Sequence, residues 1–496
     1  MDFTAANASS GVLSVVLRDE RLGDYHLMTK AFAFIALIPI LLAVHALAED
    51  WPQFRGTNGA GISSSADVPV EFGPDKAVAW KVRVPAGKSS PVLSPRRIFL
   101  TGYEGSNRLV VCLDRATGAE VWRRSIPAER REKRNRLNDP AAPTPATDGE
   151  NVYAFFAEIG LVSYGPDGNE RWRVPLGPFA SEHGMAASPI LVDGNVILLA
   201  DQLDGSFIAA YRASDGKVAW KTPRTDFVGG YATPGVYKPA DGPLQLIVPG
   251  PYETAGYAAA NGERLWWVRG LGYQPKSVPV VGRDTVYVHA LGGAEGRFPI
   301  FDELVKTIDK DHNGKLAYDE AAETGLRKRI KLIDTEFGNG DGEADAEEWK
   351  RALKGFESWN ALVAIRPGAR GDVTKTNVLW RFYRALPDVP APLLYQDVLY
   401  IVRDGGILTS LNPATGEVLR QGRLPQGAHA YYASPVAAAG KVYLASEGGT
   451  VTVVKAGAQW EVLATHVFDE ECNATPALAD GRIYLRTSAS LYCFSR

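Results

Sequence analysis

Only three cysteines, Cys112, Cys472 and Cys493, occur among the 496 residues, and none stands in a CxxC, CxxCH or Cys/His pattern. That scarcity excludes a disulfide-built scaffold, structural zinc and c-type haem. The odd count leaves at least one thiol unpaired in a monomer, and buried free cysteines acting as small hydrophobes are the simplest reading. An excess of one charge is missing too: 54 basic and 57 acidic side chains give a net −3, so no nucleic-acid binding through global charge is expected. No apolar run reaches the ~20 residues that span a bilayer, which leaves no transmembrane segment in the mature chain. With 45% hydrophobic and 10% aromatic residues, wholesale disorder is also excluded. What is abundant is glycine and proline, 50 and 32 residues, a supply of tight turns that favours an all-β fold.

The N-terminal part reads as a targeting segment. Residues 28–48 carry one Lys, an apolar run from Ala31 to Val44 interrupted by Pro39, and then Ala46-Leu47-Ala48, the pattern of a secretory signal peptide cleaved after Ala48. Residues 1–27 are acidic in part, suit no signal and read as an upstream extension before a second methionine. The protein is thus expected to be exported, to the periplasm or outside the cell.

Internal repetition fixes the expected architecture. A small residue followed by Pro, an apolar stretch, a Gly or Asp turn and a second apolar stretch recurs at Pro91, Pro145, Pro189, Pro234, Pro279, Pro392, Pro435 and Pro476. One interval, from Pro279 to Pro392, is long because a segment of different character, 297–358, interrupts the fifth copy. Gly118, Gly168, Gly216 and Gly262 each stand four residues before a Trp, where a hairpin turn needs positive φ. Later copies drift: Arg420 occupies a Trp position, and Trp460 falls one place early. Four short strands per copy, repeated eight times, predict an eight-bladed β-propeller, because each blade buries its faces only against its neighbours. The last copy ends after three strands, while residues 78–84 (VAWKVRV) form an orphan strand expected to complete it. The propeller then comprises 49–296, blades 1 to 5 in part, and 359–496. The repeated Trp residues read as packing between blades.

These AxDxxTGxxxW-like repeats, with the opening W51-P-Q-F-R-G56, resemble bacterial PQQ-like propeller repeat proteins. That group includes quinoprotein alcohol dehydrogenases and the propeller subunit of the outer-membrane β-barrel assembly machine. The resemblance implies the fold and says little of function; Thr57 departs from the Pro that many secreted members carry there.

The interruption at 297–358 reads as an EF-hand pair. Phe301, Leu304, Val305 and Ile308 make one helix face leading into DKDHNGKLAYDE. In that loop Asp309, Asp311 and Asn313 take positions 1, 3 and 5, Gly314 the turn, Lys315 the backbone-carbonyl position 7 and Glu320 the bidentate position 12, the arrangement that binds Ca²⁺. Leu316 at position 8 is apolar, as pairing with a second loop requires. In the second loop Asn339, Asp341, Glu343, Asp345 and Glu348 follow the same count, yet Phe337 falls on position 1. Asp334 and Thr335 stand as displaced first positions, so a bulged loop in which Asp334 still reaches the ion and a dead loop that only pairs are both open. Residues 301–350 hold 14 acidic and 8 basic side chains, which concentrates the acidity in this insert.

For the propeller, two functions compete. One is a noncatalytic, calcium-binding scaffold that presents its face to a protein or other ligand of unknown identity. The other is a PQQ-dependent dehydrogenase-like enzyme, in which the quinone would lie in the funnel; the adjacent cysteine pair of the quinoprotein dehydrogenases does not occur here, and PQQ is not expected. His183 and His429, each six residues before a repeat Pro, share a register that places them at one rim. The stretch Arg123 to Arg136, with seven basic and two acidic side chains, reads as a solvated loop.

Overall fold

The computed structural model describes residues 49–181, 183–202, 205–225, 227, 229–272, 274–291, 299–321, 326–356 and 360–496. The expected upstream extension and signal peptide, 1–48, lie outside the described residues, as do the ends of the insert at 297–298 and 357–358. Among the described residues no helix is long and apolar enough to cross a membrane.

Among the described residues eight blade sheets follow one another along the chain, antiparallel except for a short parallel edge strand, Gly371–Asp372, on the fourth. Blades 1 to 4 occupy 92–127, 146–175, 190–223 and 235–269; blade 5 occupies 280–382; blades 6 and 7 occupy 393–423 and 436–467. The eighth combines three C-terminal strands from 477–494 with the N-terminal strand Val78–Arg83, which pairs with Ser490–Phe494. Closure by joining the two ends of the chain in one sheet leaves no blade incomplete, so each apolar face is covered by a neighbour.

The central strands of the blades are buried apart from residues at their ends, and Val152–Phe156 and Gly160–Tyr164 are buried throughout, whereas outer strands such as Val218–Pro223 alternate exposed and half-buried residues. A register shift recurs between the third and fourth strands, and it sets the residue just beyond it over the next blade. Trp80, Trp122, Trp172, Trp220 and Trp380 sit there, and each lies against the turn glycine of the following blade, respectively Gly118, Gly168, Gly216, Gly262 and Gly416. Those glycines have φ between +72° and +78°, and a Cβ built on any of them would come within 2.8 Å of the indole. Trp122, Trp172, Trp220 and Trp380 also donate their indole N–H to a carbonyl of that turn, at 2.9–3.0 Å.

Two Trp residues depart from the expected pattern. Trp266 is fully buried in its own blade, donating to Gln245 Oε1, and its strand edge is covered by Gly371–Asp372. In blade 7 the equivalent of the repeat Trp is Ala464, paired with Val453 at the shift, not Trp460. Trp460 instead precedes the outer strand and stacks under the guanidinium of Arg420 from blade 6, 4.5 Å from its ring centroid. Arg420 and Trp460 therefore share one blade contact with the roles exchanged, a cation–π pair in place of indole on glycine.

The axis is lined by the residue that precedes each repeat Pro. The backbone N–H of Ser90 donates to Thr144 Oγ1, that of Thr144 to Ser188 Oγ, and that of Ser188 to Thr233 Oγ1. Ala391 donates to Ser434 Oγ, Ser434 to Thr475 Oγ1 and Thr475 to Ser90 Oγ, all at about 3.0 Å. Blades 5 and 6 carry Val278 and Ala391 at this position. There a buried His289 bridges instead, joining Ser277 Oγ at Nδ1, 2.8 Å, to the Pro387 carbonyl at Nε2, 2.7 Å.

The insert leaves blade 5 between its second and third strands. Its helices α1 (Phe301–Ile308), α2 (Leu326–Phe337) and α3 (Ala346–Phe356) bury Leu316, Ile330, Ile333 and Trp349 together with Tyr252 of blade 4.

Candidate functional site

One end of the axis is closed by the chain's own opening segment. Trp51 pairs with Leu93 of blade 1, the Pro52 carbonyl accepts from Thr147 of blade 2, and Gln53 Oε1 accepts from Leu191 of blade 3. Arg55, fully buried with φ +62°, donates through Nη2 to the repeat-Pro carbonyls Pro392 and Pro435 of blades 6 and 7. Burial pulls its guanidinium down to about 9. Gly61 and Ser63 bond to Ala437 in the same blade 7 strand. The segment 51–63 is thus a plug stitched to five blades, and its reach explains the otherwise unplaced WPQFRG opening.

Above the plug lies a cavity of about 360 Å³ with Phe54 among its lining residues. Inter-blade loops supply its walls: Lys88, Asn138, His183, Tyr231, Tyr432 and Asn473, over the hydroxyl ring of Ser90, Thr144, Ser188, Thr233 and Thr475. The cations are engaged. Lys276 pairs with Asp388 at 2.6 Å, and Lys88 donates to the Leu137 carbonyl at 2.6 Å while lying 5.8 Å from the Tyr432 ring centroid. His183 contacts Gln274 through Nε2 at 3.1 Å and stands edge-on to Tyr231. Burial raises the Tyr432 hydroxyl above the ordinary phenol value, so it stays a neutral hydroxyl. His429 is exposed and does not line this cavity; its ring packs against Gly448, so the shared register of the two histidines does not bring them together. The Arg123–Arg136 stretch is in part the outer strand of blade 1 and in part the rim loop, with Arg130 paired to Glu132 and Arg134 to buried Glu158. The three thiols are free and buried, Cys112 and Cys472 pushed up to about 12 by burial and Cys493 to about 11.

The insert brings its acidic residues together in two loops. Carboxylate oxygens of Asp309, Asp311 and Glu320 lie within 4.8 Å of one another. Gly314 N–H donates to Asp309 Oδ2, Ala317 N–H to Glu320 Oε2, and Asn313 Nδ2 to Asp311 Oδ2. The loops pair through Leu316 with Ala344, position 8 on position 8, and Ala317 with Glu343. In the second loop Glu348 accepts from Asn339 N–H at Oε1 and from Asp345 N–H at Oε2, and Asn339 Nδ2 donates to Asp341. The Glu343 side chain turns to the first loop, accepting from Asn313 and pairing with Lys315 at 2.9 Å, and Lys315 also reaches Asp341.

Fold and repeats define an eight-bladed PQQ-like repeat propeller. The chain belongs to the family described as outer membrane protein assembly factor BamB, whose profile matches residues 68–288 and 368–496 and skips the insert. A curated BamB from Burkholderia pseudomallei (strain K96243) is 28% identical over 155 residues, a match that spans 30% of this chain and 35% of that protein. Among solved structures, BamB from Moraxella catarrhalis is similar at TM-score 0.51 and 12% identity, covering 84% of this chain and 98% of that one. A europium-containing methanol dehydrogenase is similar at TM-score 0.56 and 8% identity, covering 90% and 98%. At such identities these likenesses are of fold. The fold is therefore shared by a protein named for membrane-protein assembly and by a dehydrogenase.

Sequence reasoning missed the plug and the hydroxyl ring. The ring's signal was present, a Ser or Thr before six of the eight repeat prolines. The cavity walls come from several separate loops and left no local pattern to find.

Proposed function

We propose that this chain is an exported, noncatalytic binding propeller that takes a segment of a protein partner into its blind funnel and carries Ca²⁺ in an inserted EF-hand pair. The observation that carries the reading is the funnel's construction. It has a floor from its own N-terminal plug, walls of aromatic rings, amides and hydroxyls, and lysines already engaged, which suits hydrogen bonding and stacking to a polypeptide more than charge-driven capture. The family description supports a protein partner and a site of action beyond the cytoplasmic membrane.

In the insert, the all-oxygen donor set of Asp309, Asp311, Asn313, the Lys315 carbonyl and Glu320 fits a hard cation, and a flexible cage of this size favours Ca²⁺ over Mg²⁺. When bound, the ion supplies charge neutralisation and rigidity to the paired loops.

Native mass spectrometry of the protein purified from the compartment in which it accumulates tests the reading. The expected result is calcium and a co-purifying polypeptide. A stoichiometric quinone, with dye-linked alcohol oxidation, would overturn it in favour of a PQQ-dependent enzyme.

A further inference from the structure

The second loop of the insert lacks an oxygen at its nominal first position, which by count from Glu348 is Phe337. Helix α2 runs on through Phe337, and Asp334 stands three residues before it, nearly one helical turn, so the two positions are neighbours on the helix surface. The backbone donors then match those of the first loop. Gly342 N–H donates to Asp334 Oδ2 at 3.1 Å as Gly314 does to Asp309 at 2.8 Å. Asn339 and Asp345 serve Glu348 at 3.0 and 3.1 Å as Asp311 and Ala317 serve Glu320 at 3.3 and 3.0 Å. Gly338 is required in between: a Cβ there would lie 2.5 Å from Glu348 Oε1 and 2.7 Å from the Asp334 carbonyl.

An independent observation points to a ligand. Asp334 is fully buried, its Oδ2 takes the bonds from Gly342 and Tyr318, and its Oδ1 has no hydrogen-bond partner. A buried carboxylate oxygen without a partner has lost its hydration with no replacement, and a cation bound in the loop would supply one.

We propose that this loop is a second Ca²⁺ site, with Asp334 as its first ligand reaching across a three-residue helical extension. Asn339, Asp341, the Glu343 main-chain carbonyl and Glu348 complete the protein oxygens. This rests on the calcium reading of the insert. It adds that both loops are loaded and that they are linked, since Tyr318 of the first loop donates its hydroxyl to Asp334 of the second.

Calorimetric calcium titration of the chelator-stripped full-length protein tests it. Wild type is expected to take up two ions, Asp334→Asn one, Glu320→Ala one, and the double variant none. Two ions retained by Asp334→Asn, or a single wild-type ion abolished by Glu320→Ala, would overturn the second site. A single wild-type ion abolished by Asp334→Asn but not by Glu320→Ala would keep it and sink the first-loop reading. If Asp334→Asn unfolds the insert by circular dichroism, Asp341→Ala in the exposed arm of the loop decides instead. At least tenfold weaker uptake of one ion is expected, and unchanged affinity for both ions would overturn the proposal.

Discussion

Thr475 donates its backbone N–H to the hydroxyl of Ser90 at 3.0 Å, across 385 residues of sequence, and so joins the last blade to the first around the axis. The same link recurs between neighbouring blades wherever Ser or Thr precedes the repeat Pro. It supplements closure by strand Val78–Arg83, which acts at the rim of the ring. Ser90→Ala removes the acceptor and leaves a buried N–H unpaired, so a loss of about 1–3 kcal/mol is expected. Urea unfolding should show it, with exposed Ser64→Ala within 0.5 kcal/mol, roughly, of wild type. Equal midpoints for both variants would mean that the ring adds nothing to closure.

Gly216 and Gly194 share a φ of +73°, but a Cβ on Gly216 would meet Trp172 at 2.8 Å while nothing lies within 4 Å of that on Gly194. Backbone strain of about 1–2 kcal/mol is common to both Ala substitutions. Gly216→Ala carries a further cost of about 1–3 kcal/mol for overpacking against the indole. Thermal melts of the two variants separate the contributions, and identical melting would contradict the indole-on-glycine lock.

Burial lowers the His289 imidazole to about 4, from an ordinary value near 6.5. Above pH 6.5 neither state carries the proton and the full stability is present. As pH falls from 6.5 to 4 the unfolded chain takes up a proton that the native one refuses. This site therefore removes up to about 3 kcal/mol of stability over that window. His289→Gln should be less stable at pH 7, because Ser277 and Pro387 lose a buried partner, yet its stability should fall less steeply with acid. An unchanged slope, measured by urea unfolding at stepped pH, would rule out the neutral bridge.

The buried thiols predict chemical silence. With Cys112 and Cys472 raised to about 12 and Cys493 to about 11, almost no thiolate exists at pH 8. Iodoacetamide should modify none of the three in the native protein and all three in urea, as read by intact mass.

Much of the ring was legible because its determinants are local. Each repeat Pro marks an inner strand, each Gly four before a Trp marks an outer turn, and VAWKVRV announced itself as a strand without a blade. The acidic loops were legible for the same reason, since the spacing of acidic residues in a loop is a property of consecutive residues. What escaped were contacts between distant segments. Arg55 was readable only as part of an opening motif, and its partners Pro392 and Pro435 lie more than 330 residues on. Trp460 was placed in the wrong register because its partner, Arg420, belongs to the previous blade. Asp334 was left undecided because a sequence count cannot tell that three extra residues in a helix return the chain to the same face.

The proposed binding function puts the working face at the funnel, opposite the plug. A photo-crosslinking side chain at Leu137, exposed beside the cavity, and another at Asn58, exposed on the plug, compare the two ends in cells that make the protein. One discrete polypeptide adduct is expected from Leu137 and none from Asn58. Adducts from Asn58 alone, or equal labelling from both ends, would contradict that placement.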